Sequence, residues 1–251
     1  MNPISPMQAS QCDTLAAETS RQPTGLLTDW QFYHGLVQTH LRPGMRVLEI
    51  GCGRGDIAPF PWERYSSLRL TGVDLDSEAC KNRQMQEFFL LRAGQPWPLA
   101  DSSFDLALAR YVLEHVSDAQ NFLDSVWRVL SPGGSFLFLT PNRRHPAALA
   151  SRLLPVPWKQ TILERTRDVP SHHVYPTHYR MNTAGQLTAL AEQSGFTVGM
   201  LLTRELVPCA YLDFCPLTRL VARAFFEFVT RTGLESRCGA HIIGSFRKRP
   251  S

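Results

Sequence analysis

The sequence predicts an α/β fold in which helices cover both faces of a parallel sheet. Short apolar runs rich in Val, Leu and Phe alternate with helical stretches, a pattern that implies crossover connections between parallel strands. A chain of 251 residues, 43% hydrophobic and 19% charged, is long enough for one large globular domain of this class. Three glycines follow the first apolar run, in RVLEIGCGRG, where a bare backbone lets a ligand approach the end of a strand.

The chain begins with a polar stretch and continues into an amphipathic helix. Residues 1–27 are predicted to be a flexible N-terminal segment, and residues 28–251 a single domain. Between Thr28 and Leu41 large apolar side chains recur at spacings of three and four, which is typical of a helix with one buried face. These side chains are Trp30, Tyr33, Leu36 and Val37.

Strands and helices are then predicted in turn along the chain. The predicted strands are RVLEI, LRLTGVD, FFLLR, FDLALAR, SFLFLT, FTVGMLLTR and AHIIGSFRK, and the helices are SEACKNRQMQ, DAQNFLDSVWRVL and NTAGQLTALAEQSG. Residues 208–234 form an insertion before the final strand, with a helical centre LTRLVARAFFEFVT. Its apolar side chains are expected to pack into the core, and the alternative is a wall of an apolar pocket or a surface for a lipid-like substrate. They are Leu217, Leu220, Val221, Phe225, Phe226 and Phe228.

Charge and cysteine usage narrow the partners of the protein. The formal net charge of +4 is mild, and no dense basic run with interleaved aromatic residues predicts a nucleic-acid partner. No apolar segment approaches the roughly 20 residues of a membrane span, and the first residues lack the pattern of a secretory signal. The six cysteines are scattered without a C-x-x-C pair, which favours reduced thiols in a cytoplasmic protein.

The glycine loop and two acids near it indicate the kind of ligand. Gly51, Gly53 and Gly55 form G-x-G-x-G, without the third glycine of the dinucleotide fingerprint and without a Walker Gly-Lys-Ser/Thr triplet. Glu49 at the strand end would repel a pyrophosphate, and Asp74 ends the next strand nineteen residues after Gly55, near the spacing at which an acid binds a ribose diol. A ligand with a ribose, a positive charge and no phosphate fits best, and S-adenosylmethionine has these attributes.

Four segments in order resemble the motif set of class I S-adenosylmethionine-dependent methyltransferases, and most closely the small-molecule branch called type 11. The segments are VLEIGCGRG, GVDLD, FDLALARYVLEHV and VWRVLSPGGSFLFLTPN. The resemblance implies a doubly wound, mostly parallel seven-stranded sheet with an antiparallel final strand, and S-adenosylmethionine as cofactor.

The same resemblance implies the cofactor-binding residues. Glu49, Gly51 and Gly53 would surround the amino-acid part, Asp74 would bind the ribose, and Leu75 would flank the adenine, with Cys52 and Gly55 as further cofactor-binding residues. Arg110 and Tyr111 would line the methionine end and the mouth of the acceptor site. The family often has an acid for the adenine amino group where this chain has Ala93, Gly94 and Gln95, so Gln95 or a backbone group is expected to substitute.

Histidines and tyrosines supply the candidates for acceptor binding. Methylation of a hydroxyl benefits from a base whose pKa is near the working pH, which a histidine supplies. His173 in SHHVYPTHYR or His115 in YVLEHV is predicted to be that base. Acceptor-pocket elements are expected within residues 143–181, with substrate contacts from Tyr33, His172, Tyr175, His178 and Tyr179. Structural roles remain alternatives for these histidines, and no metal site is expected because no acid or cysteine completes a ligand set.

These observations predict methyl transfer from S-adenosylmethionine to a small, partly apolar acceptor, with oxygen as the expected atom. Nitrogen and carbon acceptors stay open, as do a nicotinamide-dependent oxidoreductase, which the missing glycine disfavours, and a catalytically silent cofactor-binding subunit. The expected partner is a small-molecule acceptor, without nucleic acid or a membrane segment, and a homodimer is compatible with the sequence.

Overall fold

A computed structural model describes residues 28–56, 60–153, 175–205 and 216–250. The helices of these residues are α1 (Asp29–His40), α2 (Ala119–Val129), α3 (Pro146–Leu153), α4 (Ala184–Gln193), α5 (Pro216–Thr232) and α6 (Glu235–Cys238). The strands are β1 (Arg46–Ile50), β2 (Arg69–Asp74), β3 (Glu87–Leu90), β4 (Phe104–Arg110), β5 (Leu130–Pro141), β6 (Phe196–Arg204) and β7 (His241–Lys248). The predicted flexible segment 1–27 lies outside the described residues.

The strands form one seven-stranded sheet in the order β3-β2-β1-β4-β5-β7-β6. Strands β1 to β5 pair in parallel, whereas β7 runs antiparallel to both β5 and β6. The predicted α/β class, the mostly parallel sheet and the antiparallel final strand are therefore confirmed. Because β7 is reversed, its first residue lies at the carboxyl ends of the other strands, where His241 is paired with Pro141.

Each face of the sheet has its own apolar core. Along β4, Ala107 and Ala109 face a cluster formed with α2 and α4, whereas Leu106 and Leu108 face a cluster formed with α1. This alternation follows from the two-residue period of a strand, and it places apolar side chains on both faces of a central strand. Cover on both faces, as predicted from the sequence, is present.

The N-terminal helix α1 is held on the sheet by its apolar face. Thr28 and Gln31 form a reciprocal capping box at its start, which satisfies two amide groups that have no partner within the helix. Tyr33, Leu36 and Val37 are buried against the sheet, as their spacing predicts.

Two predictions are wrong, one about the length of a helix and one about the burial of a helix face. The stretch SEACKNRQMQ forms only a short 3-10 helix, Ser77–Lys81, whose start is capped by Asp76. In the inserted helix α5, Ala222 and Val229 are buried, but Leu217, Leu220, Val221 and Phe228 are exposed rather than packed in the core. A helix-period pattern shows that a face is apolar but not which neighbour covers it.

No helix in the described part of the chain is long and apolar enough to cross a membrane.

Candidate functional site

The glycine loop follows β1 at the carboxyl edge of the sheet, with three glycines in the left-handed region. Gly51, Gly53 and Gly55 have φ values of 66°, 53° and 76°. An added Cβ at Gly51 would lie 2.4 Å from a methyl group of Val112, and one at Gly55 would lie 2.6 Å from the Asn82 side chain. Gly53 has no described atom within 4 Å of that position. Gly51 and Gly55 are therefore required by the fold, whereas Gly53 borders open space that a ligand could enter.

Asp74, at the end of β2, is tied to this loop. Its Oδ2 accepts a hydrogen bond of 2.9 Å from the Gly53 amide, and its Oδ1 accepts one of 2.9 Å from the Asp76 amide. Each carboxylate oxygen keeps a further lone pair, which a vicinal diol could use. The next side chain, Leu75, is 63% exposed and offers a bare apolar surface beside the carboxylate.

A second group of side chains lies behind the loop. Glu49 accepts a hydrogen bond of 2.8 Å from Trp62 Nε1. Burial raises the pKa of Glu49, and the nearby Arg110 charge offsets only part of this rise. The Arg110 guanidinium carbon lies 3.8 Å from the ring centre of Trp30, and this cation–π contact joins the end of β4 to α1. Burial also raises the pKa of Tyr33.

Tyr33 has a buried hydroxyl oxygen without a hydrogen-bond partner among the described residues. It lines a cavity of about 10 Å³ together with Glu49, Gly51, Trp62 and Arg110. That volume holds about one water, so only a small polar group could enter it and the rest of a larger ligand must lie along the loop. The acid matches the ammonium of an amino acid in charge, and the guanidinium and the hydroxyl match its carboxylate, but the cavity itself has room for only one of these two groups.

The remaining predicted cofactor residues differ in position. Cys52 is buried beneath the loop with its thiol close to Gly72, and burial raises the pKa of this thiol to about 12. Its side chain therefore packs as a neutral apolar group, and only its backbone borders the loop. Gln95 is exposed in the turn after β3, where its backbone amide donates a hydrogen bond of 3.1 Å to the Arg92 carbonyl.

The acceptor candidates are partly described. His172 and His173 lie outside the described residues, so the first candidate base stays a prediction. His115 Nδ1 lies 2.8 Å from the Pro176 carbonyl, and its ring meets Tyr175 edge-on at 5.9 Å. Because a carbonyl only accepts, His115 carries its hydrogen on Nδ1, and burial lowers its pKa.

The loop formed by residues 175–179 is bound to the turn that carries His115. The amides of His178 and Tyr179 donate to the Glu114 carbonyl over 2.7 and 3.1 Å. Tyr175 and His178 are exposed, whereas Tyr179 is buried in a left-handed conformation with φ of 52°. Tyr175 also lies 3.5 Å from the Asp76 carboxylate, so this loop reaches the Asp74 corner.

Sequence reasoning missed a buried acid beside this loop. Glu114 is 5% exposed, its Oε2 accepts a hydrogen bond of 3.2 Å from Thr140, and burial raises its pKa to about 7. It also missed Trp30 and Trp62 as partners of Arg110 and Glu49, because such contacts arise from packing and have no motif. The residues next to Glu114 in the sequence, Leu113 and His115, do not indicate whether its carboxyl group is buried.

Comparison with known proteins identifies the family of this chain. Residues 10–199 match the family described as "Methyltransferase domain". A "Probable S-adenosylmethionine-dependent methyltransferase" of Mycolicibacterium smegmatis is 33% identical over 162 residues, 63% of this chain and 54% of that protein. A "Fatty-acid O-methyltransferase" of the same organism is 32% identical over 120 residues, 46% of this chain and 44% of that protein. The chain thus spans about half the length of these curated relatives.

A solved structure shows the same fold. An S-adenosylmethionine-dependent methyltransferase of Methanosarcina mazei superposes with a TM-score of 0.54 at 18% identity, over 86% of this chain and 98% of that one. At this identity the likeness concerns the fold alone, and the family match over most of the chain carries the assignment. The chain therefore belongs to the class I S-adenosylmethionine-dependent methyltransferases, the family whose motifs its glycine loop and Asp74 resemble.

Proposed function

We propose that this protein transfers a methyl group from S-adenosylmethionine to a hydroxyl oxygen of a small, partly apolar acceptor. The observation that carries the proposal is the corner formed by Gly53 and Asp74. There an open glycine and a carboxylate with free lone pairs face the same edge of the sheet.

The described residues suit the parts of the cofactor one by one. Asp74 would accept hydrogen bonds from the ribose hydroxyls, and Leu75 would cover one face of the adenine. Glu49 would pair with the ammonium, while Arg110 and the Tyr33 hydroxyl, which has no partner in the described part of the chain, would bind the carboxylate. Bound S-adenosylmethionine supplies an electrophilic methyl group on a sulfonium centre. The protein itself aligns the acceptor oxygen and excludes water, which are the main requirements of such a displacement.

The choice of oxygen is supported by a similar protein. Among the similar proteins is one named for O-methylation of fatty acids, and it covers less than half of this chain. Nitrogen or carbon methylation is the alternative, and a silent cofactor-binding subunit is a second. A cytoplasmic location and a homodimer stay predictions.

Two measurements test the proposal. Calorimetric titration with S-adenosylmethionine and with NAD should show binding of the first at micromolar concentrations and none of the second. Incubation with methyl-labelled cofactor and a small-molecule cell extract, followed by mass spectrometry, should show label on a hydroxyl or carboxyl oxygen. Binding without any labelled product would favour the silent subunit, and binding of NAD alone would overturn the family chemistry.

A further inference from the structure

Three side chains from distant parts of the chain meet at the edge of the sheet beside the candidate site. Asp29 is the first residue of α1, Tyr111 follows β4, and His241 begins β7. His241 Nδ1 lies 2.7 Å from Asp29 Oδ2, and His241 Nε2 lies 3.3 Å from Tyr111 Oη. The His241 and Tyr111 rings meet edge-on, with 5.7 Å between their centres.

The chemistry of the three groups gives the chain of hydrogen bonds a direction. A carboxylate only accepts, so Nδ1 of His241 donates to Asp29 and the neutral imidazole presents Nε2 as an acceptor. The Tyr111 hydroxyl then donates to Nε2. Asp29 is buried in the first turn of α1, where the helix dipole favours its negative charge.

The backbone of Tyr111 is unusual in a way that suits a functional role. Its φ is 54°, a left-handed conformation that costs a tyrosine about 1–3 kcal/mol. The strain is maintained by the sheet, because the Tyr111 amide donates to the Leu139 carbonyl over 2.9 Å. The turn directs the phenol towards His241 at the carboxyl edge, next to Arg110 and the small cavity.

The other histidines near this edge are less suited to accept a proton. His34 lies between Trp30 and Phe60, and burial together with the Arg110 charge lowers its pKa to about 4. His115 Nδ1 is held by a carbonyl, its Nε2 lies 3.9 Å from Glu114 Oε1, which is beyond hydrogen-bond distance, and burial lowers its pKa as well. Of these three histidines, only His241 has a carboxylate on one nitrogen and a hydroxyl on the other.

We propose that Tyr111 is the catalytic residue that accepts the proton of the acceptor hydroxyl, and that His241 and Asp29 are the positioning residues behind it. The acceptor oxygen forms a bond to the methyl carbon as the methyl–sulfur bond breaks, with both electrons of that bond left on sulfur. The displaced proton passes to Tyr111 Oη, the phenol proton passes to His241 Nε2, and the resulting imidazolium pairs with Asp29. The proton leaves to solvent after the product departs. This inference rests on the proposed transfer to a hydroxyl.

The first test needs no acceptor. In protein labelled with ¹⁵N-histidine, the signals of His241 are identified by their loss in His241→Gln. We expect the Nδ1–H tautomer, an Nε2 signal that moves when Tyr111→Phe removes its hydrogen-bond donor, and a change of tautomer population in Asp29→Asn. Tyr65→Phe is the control, since Tyr65 packs on Phe60 with 6.0 Å between the ring centres, and its described contacts do not include His241. An Nε2–H tautomer, or an Nε2 signal that does not respond to Tyr111→Phe, would overturn the relay.

The second test separates a chemical role from a structural one. With the hydroxyl acceptor found in the cell extract, Tyr111→Phe and Asp29→Asn should each lower kcat by about 10²–10⁴-fold. The dissociation constant of S-adenosylmethionine should stay within about threefold of wild type. Unchanged kcat in Tyr111→Phe, or a loss confined to KM and melting temperature, would show that the three residues only hold α1 on the sheet. A wild-type protein that binds no S-adenosylmethionine would instead overturn the proposed function, and with it the need for a base.

Discussion

The backbone amide of Gly53 donates a hydrogen bond of 2.9 Å to the side chain of Asp74, and this contact joins the glycine loop to the end of β2. The two residues are 21 positions apart, yet they form one corner of the carboxyl edge. The carboxylate thus has a structural role in addition to its proposed role at the ribose. A substitution of Asp74 is therefore expected to change both the stability of the protein and its affinity for the cofactor.

Replacing Asp74 should weaken cofactor binding. Asp74→Ala removes an ionised acceptor, and hydrogen bonds to charged groups contribute about 1.5–3 kcal/mol each, so affinity for S-adenosylmethionine should fall at least thirtyfold, about 2 kcal/mol. The variant should also melt at a lower temperature, because the Gly53 and Asp76 amides lose their acceptor. The matched control is Asp76→Ala, which removes the cap of the following 3-10 helix but not the proposed ribose contact. Wild-type affinity in a folded Asp74→Ala protein would refute the assignment.

Two glycines of the loop should respond differently to substitution. Gly51→Ala places a Cβ against Val112 in a left-handed backbone, so the free energy of unfolding should drop by about 1–3 kcal/mol. Gly53→Asn adds a side chain where no described atom lies within 4 Å, and asparagine tolerates the left-handed region, so the fold should be nearly as stable as wild type. Its side chain should nevertheless obstruct the cofactor, and calorimetry should show a loss of affinity. Normal binding by Gly53→Asn would mean that the loop is only a turn.

Tyr33 should affect binding and stability in opposite ways. Its hydroxyl is buried without a partner among the described residues, so Tyr33→Phe removes an unsatisfied polar atom and should leave the melting temperature equal or higher. If the hydroxyl binds the cofactor carboxylate, the same change should weaken S-adenosylmethionine binding by about 1 kcal/mol or more. Thermal melts with and without cofactor measure both effects, and a cofactor-induced shift equal to that of wild type would exclude Tyr33 from the site.

The buried Glu114 should make stability depend on pH. Its pKa in the folded protein is about 7, above its ordinary value of 4.5, so the folded state retains a proton that the unfolded chain releases. The contribution of this group is therefore greatest below about pH 4.5, declines between about pH 4.5 and 7, and is fully lost above that window, a total of about 3 kcal/mol.

Glu114→Gln should remove most of this decline, because the amide oxygen can still accept from Thr140 and carries no charge. Urea denaturation at pH 5 and pH 8 measures the effect, with Glu87→Gln on the exposed edge as control. We expect Glu114→Gln to be more stable than wild type at pH 8. A variant whose stability falls with pH as steeply as wild type would show that Glu114 is ionised in the folded protein.

Several features could be predicted from the sequence because they depend on local pattern. The two-residue alternation of β4 and the spacing of Tyr33, Leu36 and Val37 specify which faces are buried. Gly51, Gly53 and Asp74 belong to short motifs whose chemistry is contained in a few neighbouring residues. The exposed stripe of α5 was predicted wrongly, because burial of an apolar face depends on a neighbour that the pattern does not identify.

The sequence by itself determined the fold class, the family and the corner of the cofactor site, since strand periodicity and the glycine motif act over short stretches of chain. Only the tertiary structure brought Asp29, Tyr111 and His241 together, across separations of 130 and 212 residues. The reversed direction of β7 carries His241 to the carboxyl edge, and the packing of α1 brings Asp29 beside it. The burial of Glu114 and of the Tyr33 hydroxyl, which lacks a partner among the described residues, arises in the same way, because desolvation depends on everything that surrounds a group rather than on its neighbours in the chain.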